Sequence, residues 1–157
     1  MNSQQYNRAN KRVFLAVIIV FAYIAFTLFA AVGTKDADIT RISIQLVAAI
    51  AVIVIAVIAF ITKRDSRTGA LILVSAMTAG YFIIALINST IGTWTYALPL
   101  GIAAMIYLDI KMMMVMNAVI IISSVIRLVM QLGIGGTVLQ NDVIAVFVLV
   151  LVGYASD

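Results

Sequence analysis

Residues 13–32 read VFLAVIIVFAYIAFTLFAAV and contain no charged side chain. A helix of about 20 apolar residues is long enough to cross the ~30 Å hydrocarbon layer of a bilayer. The basic residues Arg8, Lys11 and Arg12 precede this run. The run is longer than the ~7 to 15 apolar residues typical of a signal peptide, so we expect a retained membrane span.

The composition of the whole chain points the same way. Of its 157 residues, 65% are hydrophobic and only 10% are charged, with a mean hydropathy of +1.21. Cys and His are absent, and the six acidic residues are all Asp. Disulfides, thiolate or imidazole metal ligands, cysteine nucleophiles and imidazole acid–base chemistry are therefore excluded. We expect no enzyme, no catalytic residues, no cofactor and no metal site.

Further apolar runs follow the first one along the chain. They predict an all-α, polytopic transmembrane helical bundle with five complete spans and a sixth that is truncated or short. Residues 1–12 form a cytoplasmic N-terminal segment in this interpretation, and residues 13–157 form the bundle. The predicted spans are about 13–32, 42–61, 70–87, 94–110, 112–132 and 143–157. Ala76 and Gly80, in a small-xxx-small pattern, predict close helix packing.

Basic residues mark the predicted orientation. With the N-terminus in the cytoplasm, seven lie on the inner side and two, Lys35 and Arg41, on the outer side. The inner residues are Arg8, Lys11, Arg12, Lys63, Arg64, Arg67 and Lys111. By the positive-inside rule this distribution predicts a multi-pass protein of the cell membrane with a cytoplasmic N-terminus. No basic face or motif predicts nucleic-acid binding, so the expected partner is the lipid bilayer.

The fourth predicted span carries aromatic residues near both ends and one proline. Trp94 and Tyr96 at one end and Tyr107 at the other are predicted to be interface anchors. Pro99 is a candidate helix break, because it lacks the N–H that continues a helix. In a membrane, a break is tolerated only where protein or water satisfies the freed carbonyl.

The fifth predicted span carries a polar stripe. On a helix of ~100° per residue, with Asn117 at zero, Ser124, Gln131 and Arg127 fall at roughly −20°, −40° and −80°. The stripe is a candidate ligand or switch site, where Arg127 meets an anionic ligand or an Asp of another span. In the alternative interpretation, Arg127 snorkels to the headgroups or pairs structurally. Hydroxyls such as Thr27, Thr78 and Ser124 are expected to hydrogen-bond between helices.

Three segments resemble a known family. SQQYNRANKRVF, YALPLGIAAMIYLDIK and NAVIIISSVIRLVM are similar to the multi-span N-terminal membrane region of methyl-accepting chemotaxis proteins from Gram-positive anaerobes. The resemblance is carried by YALP, by IYLD with the following Lys111, and by Asn117 with Arg127. It implies the bacterial cell membrane, a homo-oligomer, and an adaptor and histidine kinase reached only through a cytoplasmic signalling region. That region is missing from these 157 residues, which hold no heptads and no Glu for methylation.

The expected function is therefore a membrane-embedded sensory or anchoring input module of a chemotaxis-type receptor. It would transmit a stimulus through helix rearrangement to the missing cytoplasmic signalling domain. The alternative is a small polytopic transporter or channel subunit, for which the polar stripe and the Pro99 break would form the path. No internal inverted repeat supports that alternative.

Overall fold

A computed structural model describes residues 2–33, 38–87, 96–107 and 110–133 of the chain. These residues form five helices and contain no strand, which confirms the all-α prediction for the described part. The helices are α1 (Ser3–Ala31), α2 (Ile39–Lys63), α3 (Arg67–Ile87), α4 (Ala97–Met105) and α5 (Ile110–Gly133).

The first helix begins well before the apolar run. Asn2 caps it: its side chain accepts from the Gln5 N–H at 2.9 Å, and the Gln5 side chain accepts from the Asn2 N–H at 2.8 Å. This reciprocal pair satisfies two donors at the helix start. The segment 1–12 is therefore helical from Ser3 onward and runs directly into the first span.

Three helices of the described part, α1, α2 and α3, are long and apolar enough to cross a membrane. The prediction of five complete spans is not confirmed. The described part of the fourth run forms a helix of only nine residues before the chain turns, about 13 Å long. The described apolar part of α5, Met114–Ile126, is shorter than a full crossing. The sixth predicted span, 143–157, lies outside the described residues.

The short α4 ends in a tight turn. The N–H groups of Ile106 and Tyr107 donate to the carbonyls of Ala103 and Ala104, at 3.3 and 3.2 Å. Such i to i−3 bonds tighten the last turn of a helix and use carbonyls that would otherwise stay unpaired at its end. The apolar run therefore predicted a longer helix than α4, because hydropathy does not indicate where the backbone turns.

Small residues bring α2 and α3 close together. The buried face of α2 repeats with alternating spacings of four and three residues, and consists of Gln45, Ala49, Val52, Ala56 and Ala59. On α3, both Ala76 and Gly80 are buried, as the small-xxx-small pattern predicts. A methyl group built on Gly80 would overlap a Val52 methyl group and lie 3.0 Å from the Phe21 ring. This glycine therefore sets the distance between α3 and its two neighbours.

The outer faces of the helices are apolar. Phe26, Phe29 and Ile61 are each exposed by 70% or more. Water would disfavour so many exposed apolar side chains on long helices, whereas a hydrocarbon solvent accepts them. Together with the three long apolar helices, these faces indicate a membrane protein.

The packing at Gly80 generates a prediction. Gly80→Ala should lower the free energy of unfolding by about 1–3 kcal/mol, because the new methyl group overpacks a well-filled contact. Val52 gives little relief, since its β-branched side chain is restricted in a helix. Unfolding of the purified protein by denaturing detergent in mixed micelles measures the change.

The matched control is Gly101→Ala in α4, where nothing lies within 4 Å of the added methyl group. This variant should unfold at the parent's detergent fraction or at a slightly higher one, because alanine favours helix over glycine. Equal stability of both variants and the parent would contradict the close approach at Gly80.

Candidate functional site

A fully buried amide lies at one end of the bundle. Asn10 of α1 has no exposed surface, although its neighbours in sequence, Lys11 and Arg12, are exposed. Its Nδ2 group donates to the backbone carbonyl of Arg64 at 2.7 Å and to that of Ser66 at 3.2 Å. Both carbonyls belong to the turn between α2 and α3, so one side chain ties α1 to that turn.

The side-chain oxygen of Asn10 also has a hydrogen-bond partner. The Tyr107 hydroxyl donates to Asn10 Oδ1 at 2.7 Å, and Tyr107 is itself only 2% exposed. Tyr107 follows α4 and precedes α5. We refer to Asn10, Tyr107 and the Arg64 and Ser66 carbonyls as the Asn10 cluster. It joins α1, the α2–α3 turn and the α4–α5 connection through three hydrogen bonds.

Glycine shapes the turn that faces Asn10. A methyl group on Gly69 would overlap the Lys63 carbonyl and lie 3.3 Å from Asn10 Nδ2. The Ser66 hydroxyl donates to the Lys63 carbonyl at 3.0 Å and accepts from the Gly69 N–H at 3.2 Å. An additional hydrogen bond joins the Asn7 side chain to Asp65. The turn therefore has a defined shape, with two of its carbonyls directed at Asn10.

Positive charge surrounds the Asn10 cluster. Seven basic residues lie on the segments that meet there, against one described acidic residue, Asp65. The basic residues are Arg8, Lys11, Arg12, Lys63, Arg64, Arg67 and Lys111. Arg64 and Asp65 form an exposed ion pair at 3.8 Å, which contributes little to stability. This end of the bundle is therefore strongly basic.

A groove of about 520 Å³ runs between α3 and α5 and starts at the same end. Arg67, the first residue of α3, and Lys111, the second of α5, line it together with mainly apolar side chains. Ser75 and Thr78 also line the groove, and the Thr78 hydroxyl donates to the Val74 carbonyl of its own helix at 2.7 Å. The groove is therefore cationic at one end and mainly apolar along its length.

The predicted polar stripe of the fifth span lies on α5, and the structure describes two of its four side chains. Asn117 and Ser124 are both half-buried, and the side chains of Arg127 and Gln131 lie outside the described part. The buried face of α5 contains Met116, Ile120 and Ser123 instead. The polar cleft, and the ligand or switch role of the stripe, therefore stay a prediction.

Hydroxyl groups inside the helices bond to their own backbone. Thr27 donates to the Ile24 carbonyl at 2.8 Å, and Ser124 donates to the Ile120 carbonyl at 2.9 Å. Thr78 does the same within α3. For these three residues the prediction of interhelical hydrogen bonds is wrong. A carbonyl three or four positions earlier is the nearest acceptor for a hydroxyl on a helix.

The predicted aromatic anchors have different surroundings. Trp94 lies outside the described residues. Tyr96 packs edge-on against Tyr23 of α1, with ring centroids 6.4 Å apart. Tyr107 is buried against Asn10, so its described contacts are with the bundle interior, where its hydroxyl needs a partner.

Pro99, the candidate helix break, is the third residue of α4 and is exposed. In a first turn the missing N–H removes no intrahelical bond. The described helix begins just before Pro99, so the proline does not interrupt it.

The sequence analysis missed Asn10, although a signal was present. Asn10 lies three and seven residues before Val13 and Val17, and these two residues are fully buried on the same face of α1. Extending the apolar face of the first span backward by one turn would have included Asn10.

No known family model, curated protein or solved structure matches the chain. Its function is therefore inferred from its own residues and geometry.

The Asn10 cluster predicts energetic coupling between two residues that are far apart in sequence. Asn10→Leu should lower the free energy of unfolding by about 1–3 kcal/mol, because buried partners lose their hydrogen bonds. Tyr107→Phe should cost about 1 kcal/mol in the parent and less in the Asn10→Leu background. Detergent unfolding of the four proteins in this double-mutant cycle measures the coupling.

Tyr96→Phe provides the control, since Tyr96 adjoins the other end of α4 and contacts Tyr23. Its effect should be the same in the parent and in the Asn10→Leu background. Full additivity of the Asn10 and Tyr107 changes would contradict the direct hydrogen bond.

Proposed function

We propose that this chain is the membrane-embedded input module of a chemotaxis-type transmembrane receptor. The observation that carries the proposal is the Asn10 cluster, which links three separate segments at the basic end of the bundle. An input module needs such a link, because a change among its helices must reach the end from which the signal leaves.

The orientation belongs to the same proposal. Seven basic residues at the end with the Asn10 cluster favour the cytoplasmic side for that end, by the positive-inside rule. The N-terminus then lies in the cytoplasm, in a bacterial cell membrane. The Asn10 cluster lies where a cytoplasmic signalling region would receive the signal.

The mechanism is a shift between two helix arrangements. A stimulus changes their populations only if it binds or stabilises them unequally. The hydrogen bond from the Tyr107 hydroxyl to Asn10 joins the α4–α5 connection to α1, and a bond of this kind contributes about 1 kcal/mol. Breaking it would release the start of α5 from α1. A displacement of the helices that follow is the output.

The family resemblance supports the receptor class. Two of the three resembling segments supply the two side chains of the Asn10 cluster, Asn10 and Tyr107. The third contains Asn117 and Arg127, and the ligand or switch role of Arg127 stays a prediction. In this proposal the chain forms a homo-oligomer and reaches an adaptor and a histidine kinase through a following cytoplasmic region.

The alternative, a small transporter or channel subunit, has less support. It needs a continuous polar path through the bundle. In the described part, four buried polar residues lie on four different helices: Asn10, Gln45, Thr78 and Ser123. The core around them is apolar, and the largest fully buried side chains are Phe21, Leu73 and Met77.

The receptor proposal predicts a change in signal output. Tyr107→Phe should shift the resting kinase activity by about fivefold, because losing about 1 kcal/mol changes a two-state ratio by that factor. Kinase activity in membranes that contain the chain with its following coding region measures this shift. We expect the coding region after Asp157 to encode a heptad-patterned cytoplasmic segment, through which the chain reaches the kinase in that assay.

The control for this experiment is Tyr96→Phe, which should leave the resting activity unchanged. A stop codon directly after Asp157 would contradict the receptor proposal and favour the transporter alternative. An unchanged activity for Tyr107→Phe at normal protein level would also contradict it.

The orientation has its own test, which the absence of Cys makes simple. Thr40 and Thr68 are both exposed and are the second residues of α2 and α3. With the N-terminus inside, Thr40→Cys should react with a membrane-impermeant maleimide in intact cells. Thr68→Cys should react only after the cells are opened. The reverse labelling pattern would place the basic end outside.

A further inference from the structure

We propose that the groove between α3 and α5 binds an anionic phospholipid from the leaflet at the basic end of the bundle. Its headgroup phosphate would lie beside Arg67 and Lys111, and one acyl chain would lie along the apolar part of the groove. This inference does not depend on the signalling function.

The charge of the groove selects an anion. Arg67 and Lys111 come from two different helices, and both line the same end of the groove. Each lies at or next to the N-terminus of its helix, where the helix dipole also favours negative charge. A phosphate accepts hydrogen bonds from both types of side chain. The two cations therefore form one recognition point for a phosphodiester.

The apolar part of the groove selects an amphiphile over a free anion. Leu71, Val74 and Phe82 on α3 face Val115 and Val119 on α5 across the groove. On α3 the lining extends from Arg67 to Phe82, which is about 22 Å along a helix. One leaflet of hydrocarbon is about 15 Å thick, so the groove is long enough for an acyl chain. A soluble anion would contact only the cationic end of the groove.

A second copy of the chain fits the groove less well than a lipid. A twofold pairing through this groove would bring Arg67 and Lys111 of both copies to the same interface. Like charges placed together in a membrane interface oppose association. A phospholipid instead brings the opposite charge and an apolar tail in one molecule.

The test uses native mass spectrometry of the purified protein with phosphatidylglycerol and phosphatidylcholine that carry the same acyl chains. The parent should retain more of the anionic lipid. Arg67→Gln with Lys111→Gln should reduce this preference by about fivefold or more, since a basic residue near an anionic lipid contributes about fivefold in binding. Arg67→Lys with Lys111→Arg should keep the preference.

The matched control is Arg8→Gln with Lys11→Gln, which removes the same charge at the same end of the bundle, from α1. It should reduce the preference less than the Arg67 and Lys111 double variant does, because the two cations that line the α3–α5 groove stay in place. Equal loss in both double variants would overturn the proposal and leave only general surface attraction.

A further variant tests the apolar part. Ala79 is exposed and lines the groove, so Ala79→Phe should fill it without disturbing the core and should lower retention of both lipids. Unchanged retention would overturn the acyl-chain assignment. If inorganic phosphate competes with the lipid, the groove binds a free anion and the lipid proposal is overturned. If Ala79→Phe changes the mass of the oligomer and leaves lipid retention unchanged, the groove binds a second copy of the chain instead.

Discussion

The structure depends on satisfying the buried side-chain amide of Asn10 at the edge of an apolar bundle. A buried polar group without partners costs far more in a hydrocarbon environment than in water, since no solvent replaces the lost hydrogen bonds. Asn10 meets this requirement with two carbonyls and one hydroxyl, each from a segment other than its own helix. The same three bonds therefore satisfy the amide and fix how α1, the α2–α3 turn and the α4–α5 connection meet.

The rest of the bundle is held together differently. Between α1, α2 and α3, small residues and stacked rings replace polar contacts, as at Gly80 and in the Phe14–Phe60 pair with ring centroids 4.5 Å apart. Lipid tails are as apolar as these side chains, so close packing has to stabilise the helix contacts. Among the described residues, the side-chain hydrogen bonds of Asn7, Asn10 and Tyr107 join separate segments at the basic end. The proposals for signal output and for lipid binding both start from that end.

Much of the fold could be predicted from hydropathy, and the functional geometry could not. Apolar runs predicted α1, α2 and α3, because the length of a hydrocarbon-crossing helix is fixed by the bilayer. They overestimated the length of α4, since the end of this helix depends on backbone hydrogen bonds from Ile106 and Tyr107. Tyr107 is of the residue type that is common at membrane interfaces. Only the fold shows that its hydroxyl donates a hydrogen bond to Asn10, 97 positions away in sequence.

The most direct measurement of the central claim is hydrogen exchange at the Asn10 side-chain amide, by nuclear magnetic resonance of the protein labelled with nitrogen-15 at Asn. Loss of one signal in Asn10→Gln assigns it. Both Nδ2 protons should exchange much more slowly than those of exposed Asn2, and should show contacts to the Tyr107 ring. Exchange as fast as that of Asn2, without those contacts, would contradict the claim that this amide fastens the bundle.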